Sequence, residues 1–246
     1  MPDRAGTAVL RYANKRANLP MAPELLERVE TAVALLGTLG HGQATVLHTM
    51  GTYNSTSRLP NGQLSQHAIN PPRAIDVSGV EWQDGAQVWT LDRHRMPDLY
   101  WRVEASLREG GFGIVLGWDY GEDHHNHWHC DFSKAWGTAG RSQTLFVNAA
   151  LAMLGYANVL DAQEALGQRV DQVVGPQTLK ALCRAVRAHG LQVEQPRSVV
   201  RIGTIAIPYR MEGDTAVASV RAMAEALDAT VDTSGWPVIV VTPKGD

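Results

Sequence analysis

The chain has 246 residues, 44% of them hydrophobic and 19% charged, which is enough material for one large domain or two small ones with a proper core. A formal net charge of −3 offers no general attraction for nucleic acid or an anionic membrane, and two cysteines, Cys130 and Cys183, exclude a disulfide framework and an all-thiolate metal site. No window is long and apolar enough to span a bilayer, and Met1-Pro2-Asp3-Arg4-Ala5-Gly6 lacks the apolar run of a secretory signal, so the expectation is a protein made in the cytoplasm with reduced thiols and no membrane insertion.

Residues 1–22 read as an N-terminal extended arm carrying Arg11, Lys15 and Arg16 and stopped by Pro20. Pro23 then opens a helix in which Leu25, Leu26, Val29, Val33 and Leu36 recur at helical spacing, ended by Gly37 and Gly40. Thr45 to Met50 reads as a strand, Gly51 to Gln66 as a polar loop, and Ala74-Ile75-Asp76-Val77-Ser78 as a second strand. Asp76 is disfavoured at a strand centre and needs a reason to be there. Val88 to Leu91 reads as a third strand, and Pro97 starts a helix carrying Leu99, Trp101, Val103 and Leu107 to Gly110-Gly111. Phe112 to Leu116 is a further strand leading through Trp118 to a histidine-rich stretch. Strands and helices mix without regular alternation, so the fold class is α+β: a small antiparallel sheet with flanking helices.

Four of the nine histidines fall in His124-His125-Asn126-His127-Trp128-His129-Cys130-Asp131. In a strand His127, His129 and Asp131 share one face while Trp128 and Cys130 point to the other. Neutral imidazole is the commonest metal ligand, so a third ligand is sought elsewhere. His67, in Ser65-Gln66-His67, and Asp76 complete a set with His129 of two nitrogens and one oxygen, which suits zinc with a fourth position open to water and does not suit calcium or magnesium. Binding a cation would also explain an acidic residue in a strand. Trp82, Trp118 and Trp128 read either as walls of a cleft or as core.

The ordered elements Ser65-x-His67, Ala74-x-Asp76 and His127-x-His129, with Gly51-Thr52-Tyr53, Asp84-Gly85 and Val115-Leu116-Gly117, resemble the signature of the LAS-type zinc peptidases, and within them the extensin-like C-terminal domains and their phage relatives. The similarity covers about residues 25–133 and implies a peptidoglycan peptidase domain, 23–134, in which His67, Asp76 and His129 hold Zn²⁺. The family usually places six residues between the ligand His and Asp; here there are eight, with Pro71-Pro72 in the excess. Many relatives carry a catalytic Glu three residues before the last ligand, where this chain has Asn126. A histidine-rich branch has His-x-x-His-x-His instead, matched by His124, His127 and His129. The resemblance therefore implies His127 as general base, with His124 second and Glu122 or Asp123 as further options. Arg58, near the family's Arg, is a candidate for binding a substrate carboxylate or oxyanion, and reads equally well as a solvated loop charge.

After Asp131, residues 133–143 read as a linker, followed by helices Leu145–Leu154 and Gln177–His189. Asn148-Ala149-Ala150-Leu151 with Leu154-Gly155-Tyr156, then Val170-Asp171, Gly175-Pro176 and Thr178, resemble a small helical peptidoglycan-binding domain over 144–192. The remainder, 197–246, reads as strand (Val199–Ile207), helix (Thr215–Leu227) and strand (Pro237–Thr242), a βαβ-like tail of unassigned role. His-Asn-His also recurs in a nuclease motif, but an acidic chain with no basic stripe argues against nucleic acid. The expected function is a zinc peptidase cleaving stem peptides or cross-links of bacterial peptidoglycan, as a phage endolysin or a tail-associated hydrolase in contact with virion proteins. The alternative is an inactive zinc-containing wall-binding or structural protein of a phage or injection system.

Overall fold

The computed structural model describes residues 1–59 and 61–190 and four short strands near the C-terminus, 198–202, 205–209, 229–232 and 240–243. The chain divides into two units, Met1–Leu191 and Gln192–Asp246.

The first unit is α+β. Its sheet contains β1 (Arg4–Ala5), β2 (Ala8–Tyr12), β3 (Lys15–Arg16), β4 (Ala44–Gly51), β5 (Ala74–Trp82), β6 (Gln87–Trp89), β7 (Ile114–Leu116) and β8 (Trp128–Asp131). The order is β1-β2-β4-β5-β8-β7, with β3 on β2 and β6 on β5. Its helices are α1 (Pro23–Leu36), α2 (Pro97–Glu109), α3 (Arg141–Leu154), α4 (Val159–Ala165) and α5 (Pro176–Ala188).

The sheet is not wholly antiparallel, and the segment expected as an arm belongs to it. Strand β2 runs parallel to β4, in the register Val9↔Val46 to Tyr12↔Thr49, because α1 carries the chain back between them. Ala8 and Leu10 are buried and alternate with partly exposed neighbours. The hairpin from β2 to β3 turns at Ala13 and Asn14, both at positive φ (48° and 62°), the geometry of a tight two-residue hairpin turn. The expected third strand is shorter than it reads, since the chain leaves β6 at Trp89 for a single helical turn at Thr90–Asp92, where Asp92 Oδ2 accepts from the Trp89 N–H.

Helix α1 buries Leu25, Val29, Ala32, Val33 and Leu36, the stripe its sequence spells out. Helix α2 differs, because everything from Leu99 to Arg108 is buried. It lies under α1, α3 and α5 and against the sheet. Its polar residues are consequently paired: Arg102 donates to the carbonyls of Leu39 (2.6 Å) and Arg187 (3.0 Å), and Arg108 binds Glu104 (2.7 Å), the Val115 carbonyl (2.9 Å) and Ser142. Burial pushes the Glu104 carboxyl above its usual range and the Arg108 guanidinium opposes that shift. Glu104→Ala leaves a buried guanidinium without its counter-ion and is expected to cost about 3–5 kcal/mol, read as a lowered urea midpoint. A loss below 1 kcal/mol would show that the pair contributes little.

The helices after residue 140 share this core. Leu179, Leu182, Cys183 and Val186 of α5 and Phe146, Val147 and Ala150 of α3 join the α2 side chains in one cluster, and Glu109 accepts from Arg184 and Arg187. Helix α3 begins at Arg141, within the expected linker, and α4 was not anticipated; Asn158 caps it by accepting from the Asp161 N–H. Gln163, fully buried, fixes the loop before α5 by accepting from the N–H groups of Asp171 and Gln172 and donating to Asp171 and the Val173 carbonyl. No single helix among the described residues is long and apolar enough to cross a membrane.

In the second unit, β9 (Ser198–Ile202), β10 (Ile205–Tyr209), β11 (Ala229–Asp232) and β12 (Val240–Pro243) form a sheet in the order β10-β9-β12-β11. The expected strand Val199–Ile207 is two strands paired antiparallel with Ile202 opposite Ile205, while β9 and β12 are parallel. Strand β11 was not expected, and the expected helix Thr215–Leu227 lies outside the described residues.

Candidate metal centre

Two strands and one loop bring the centre together. Strands β5 and β8 pair antiparallel with Asp76 directly opposite His129. Directly opposed residues on one face hold their Cβ atoms about 4.5–5.5 Å apart. The faces divide as the alternation requires: Trp128 and Cys130 are fully buried, while His127 and His129 reach toward Asp76. On its other edge Asp76 is opposite Gly51 of β4.

His67 comes from the loop between β4 and β5, which is tied down at several points. The Asn54 N–H donates to the His67 carbonyl (3.1 Å), the Arg73 N–H to the Gln66 carbonyl (3.0 Å) and the Ala22 N–H to the Pro72 carbonyl (2.9 Å). The imidazole itself donates through Nδ1 to the Thr52 carbonyl at 2.9 Å, and the Thr52 hydroxyl donates to the Pro20 carbonyl at 2.6 Å.

The three ligand-type atoms converge. His67 Nε2 lies 3.1 Å from Asp76 Oδ1 and 3.0 Å from His129 Nδ1, and His129 Nδ1 lies 3.0 Å from Asp76 Oδ1. Their tautomers follow from what the opposite ring nitrogens touch. A carbonyl only accepts, so His67 Nδ1 bears hydrogen and Nε2 of the neutral ring presents a lone pair. His129 Nε2 donates to Asp131 Oδ2 at 3.0 Å, which turns its Nδ1 lone pair inward. Asp131 Oδ1 accepts from the Ser133 N–H and hydroxyl at 2.8 and 2.7 Å, and these bonds and His129 hold its carboxyl below its usual range against burial. Two lone pairs and a carboxylate oxygen therefore meet with no donor between them, an arrangement that calls for a positive charge at its centre. Ligands about 2.0–2.1 Å from a tetrahedral ion sit roughly 3.3 Å apart, close to the observed separations. His67, Asp76 and His129 thus form a triad that could hold a metal ion. A proton is the competing occupant: burial lowers the His129 pKa, but hydrogen bonds to Asp131 and Asp76 outweigh it and push it up to about 9. The two imidazoles hold Asp76 well below the usual carboxylate range despite its burial.

The other sequence candidates divide. His127 points its Nε2 at the centre, 3.5 Å from Asp76 Oδ1, while its Nδ1 pairs with Asn126 Oδ1 at 2.8 Å. The side-chain oxygen of Asn126 thereby fixes the tautomer that presents the Nε2 lone pair inward. Burial lowers the His127 pKa, keeping the ring neutral near pH 7. His124 sits behind it, ring centroids 5.3 Å from His127 and 6.2 Å from His129, with its pKa lowered to about 4 by burial and by those two rings. Glu122 and Asp123 are exposed on the helical turn before it. Arg58 is exposed, and its guanidinium donates to the carbonyls of Ser55 and Ser57 in its own loop. Trp82 and Trp128 are core; Trp118 is half-buried and stacks on His125 with centroids 4.0 Å apart. Ser65 is buried beside the ligand loop.

A cleft of about 480 Å³ opens beside His67 and Asp76, and Tyr12, Met50 and Tyr53 line it. Sequence reasoning missed Tyr12, because a strand-end aromatic in an assumed arm carries no sign of what it faces. Thr52 and Ser133 were missed as supports for the ligand rings; an Asx-type turn, Asp131 accepting from the Ser133 N–H at the end of the strand, is the signal that could have found Ser133.

An α+β unit with a two-imidazole, one-carboxylate centre at adjacent strands is the class that fold and site define. The chain belongs to the family described as extensin-like protein C-terminus, whose model matches residues 12–141, just over half its length. No curated protein and no solved structure matches it.

Proposed function

We propose that this chain is a zinc-dependent peptidase that cleaves stem peptides or cross-links of bacterial peptidoglycan, acting as a phage endolysin or tail-associated hydrolase. The observation that carries the reading is the convergence of His67 Nε2, His129 Nδ1 and Asp76 Oδ1, three acceptors of which the two imidazoles are oriented from behind by the Thr52 carbonyl and Asp131. Zn²⁺, when bound by such a set, polarises a carbonyl and lowers the pKa of water. The protein's own residues do the rest. Asp131 and the Thr52 carbonyl hold the ligand rings in the tautomer that binds. His127 Nε2, neutral and facing the centre, takes a proton from the attacking water and passes it to the leaving amine. The cleft beside Asp76 gives the peptide a place to lie.

The test is digestion of purified murein, with fragments identified by mass spectrometry, by the protein as prepared, after chelation, and after zinc is restored. Peptide-bond cleavage that follows zinc content supports the reading. Zinc bound at one equivalent with no fragment released would make this a non-catalytic wall-binding or structural protein.

Asp131 gives a second check. Asp131→Ala is expected to weaken zinc affinity about 10–100-fold, the usual effect of losing the partner that orients a ligand histidine, read by competition with a chelator. Unchanged affinity would show that Asp131 does not orient the ring. Wall binding by the helical half is tested in the full chain, since α3 and α5 share their core with α2. Val170 and Val173 stand exposed on the loop that Gln163 fixes. In a His129→Ala background, Val170→Asp with Val173→Asp is expected to reduce co-sedimentation with murein sacculi several-fold; equal sedimentation would remove the loop from the binding surface.

A further inference from the structure

Of the histidines clustered from 124 to 129, His125 is the one with no role in the centre described above, yet its ring is closely placed. It lies flat on Trp118, with centroids 4.0 Å apart and planes within 9° of parallel. The two rings come from consecutive helical turns, Trp118–Tyr120 and Glu122–His124, with His125 closing the second. The same turns meet again through Tyr120 and His124, edge to face with centroids 5.5 Å apart. Rings at 118 and 120 of the first turn thus pair with rings at 125 and 124 of the second.

The first turn is itself fixed by three neighbours. The Trp118 N–H donates to the hydroxyl of Tyr100 in buried α2 at 2.8 Å, Asp119 accepts from Arg93 at 2.8 and 2.9 Å, and the Arg141 guanidinium at the start of α3 lies 4.8 Å from the Tyr120 ring centre. The His94 ring also stands edge-on to Trp118, at 5.4 Å and 87°. Downstream, the ladder of β8 with β5 begins at Trp128, opposite Val77. Asn126 and His127 therefore form a two-residue bridge between two fixed points, the stacked His125 ring and strand β8. Asn126 supplies the oxygen that sets the His127 tautomer. The second ring pair reaches the same place, since the His124 centroid is 5.3 Å from that of His127.

We propose that Trp118 is a positioning residue for His127: by stacking on His125 it fixes the start of the bridge, and with it the place and tautomer of the ring that faces the metal centre. The inference rests on the peptidase reading for what His127 does and adds the device that holds it there. Ring pairs suit that task because they have preferred geometries as well as apolar area. A general base works only within hydrogen-bond reach of its proton, and a misplacement of about 1 Å can cost about 10²-fold in rate. Strand β8 is held by its own ladders to β5 and β7, so the ligand His129 stays in place without the stack.

The experiment uses the full zinc-loaded chain and soluble muropeptides. Trp118→Ala and His125→Ala remove the stack from opposite sides, and each is expected to lower kcat about 10–100-fold while KM and zinc affinity hold. Trp118→Phe keeps a flat ring at 118 and should recover most of the rate. In a His127→Ala background Trp118→Ala should cost little more, because its effect runs through His127. Independently of turnover, the His127 imidazole nitrogen shifts in the parent should show one protonated and one bare nitrogen, and in Trp118→Ala they should draw together as the tautomers mix. Should Trp118→Ala fail to fold, His125→Ala and His125→Phe carry the same comparison. A full rate in both alanine variants, unchanged nitrogen shifts, or an undiminished loss in the His127→Ala background would each overturn the device. A parent that cleaves no muropeptide would overturn the peptidase reading alone, and the nitrogen shifts would still decide the placement of His127.

Discussion

His129→Ala is expected to empty the metal centre and abolish peptide-bond cleavage. His129 carries the largest share of the geometry: its Nδ1 meets both His67 and Asp76, and its Nε2 meets Asp131. Removing it leaves one imidazole and one carboxylate, too few for a tight four-coordinate site, and unties Asp131 as well. Zinc content is expected to fall from one equivalent to near zero, with activity down by at least 10⁴-fold, since the water-activating chemistry is lost with the ion. Asp76→Ala should match it, because Asp76 Oδ1 is the atom the ligand imidazoles share. Elemental analysis beside murein digestion checks both quantities. Stoichiometric zinc and intact activity in His129→Ala would dismantle the assignment.

His127→Ala is expected to keep zinc and lose activity by about 10²–10⁴-fold, the usual worth of a general acid–base group. Its Nε2 faces Asp76 but stands 3.5 Å off, outside the 3.0–3.1 Å triangle of the ligands, which suits a proton carrier better than a ligand. Asn126→Ala removes the acceptor that sets its tautomer and should cost less, about tenfold. His124→Ala should also cost less than His127→Ala, since the His124 ring lies behind that of His127. Full activity with zinc retained in His127→Ala would transfer the role to His124 or Glu122. Parent-level activity in His127→Ala, His124→Ala and Glu122→Ala alike would exclude base catalysis by this stretch.

Much of the site is legible in the sequence because strand periodicity is unforgiving. Two-residue spacing places His127, His129 and Asp131 on one face, and Asp76 at a strand centre announces a partner. His67 is harder: its residue type suggests a ligand, but the loop hydrogen bonds to Thr52, Pro20 and Pro72 that bring it in join residues far apart in the chain, and nothing local in the sequence places it. The N-terminal strands read as an arm because they are two to five residues long and their partner, β4, lies beyond a helix. Helix α2 hides its depth for another reason. Arg102, Glu104 and Arg108 look like a solvated face until their buried partners are known. The split of Val199–Ile207 into two strands turns on pairing, which composition does not record.

The burial of α2 from Leu99 to Arg108 separates what is inherited from what folds. The family segment stops at residue 141, yet Leu179, Leu182 and Val186, which cover α2, come from well beyond it. Cutting the chain at the family boundary would bare apolar surface and strip Glu109 of both its arginines. The matched segment is thus a unit of ancestry but not of autonomy. A chimera that transplants it into another protein must bring a matching lid for that helix, or the metal site will be grafted onto a fold that does not hold.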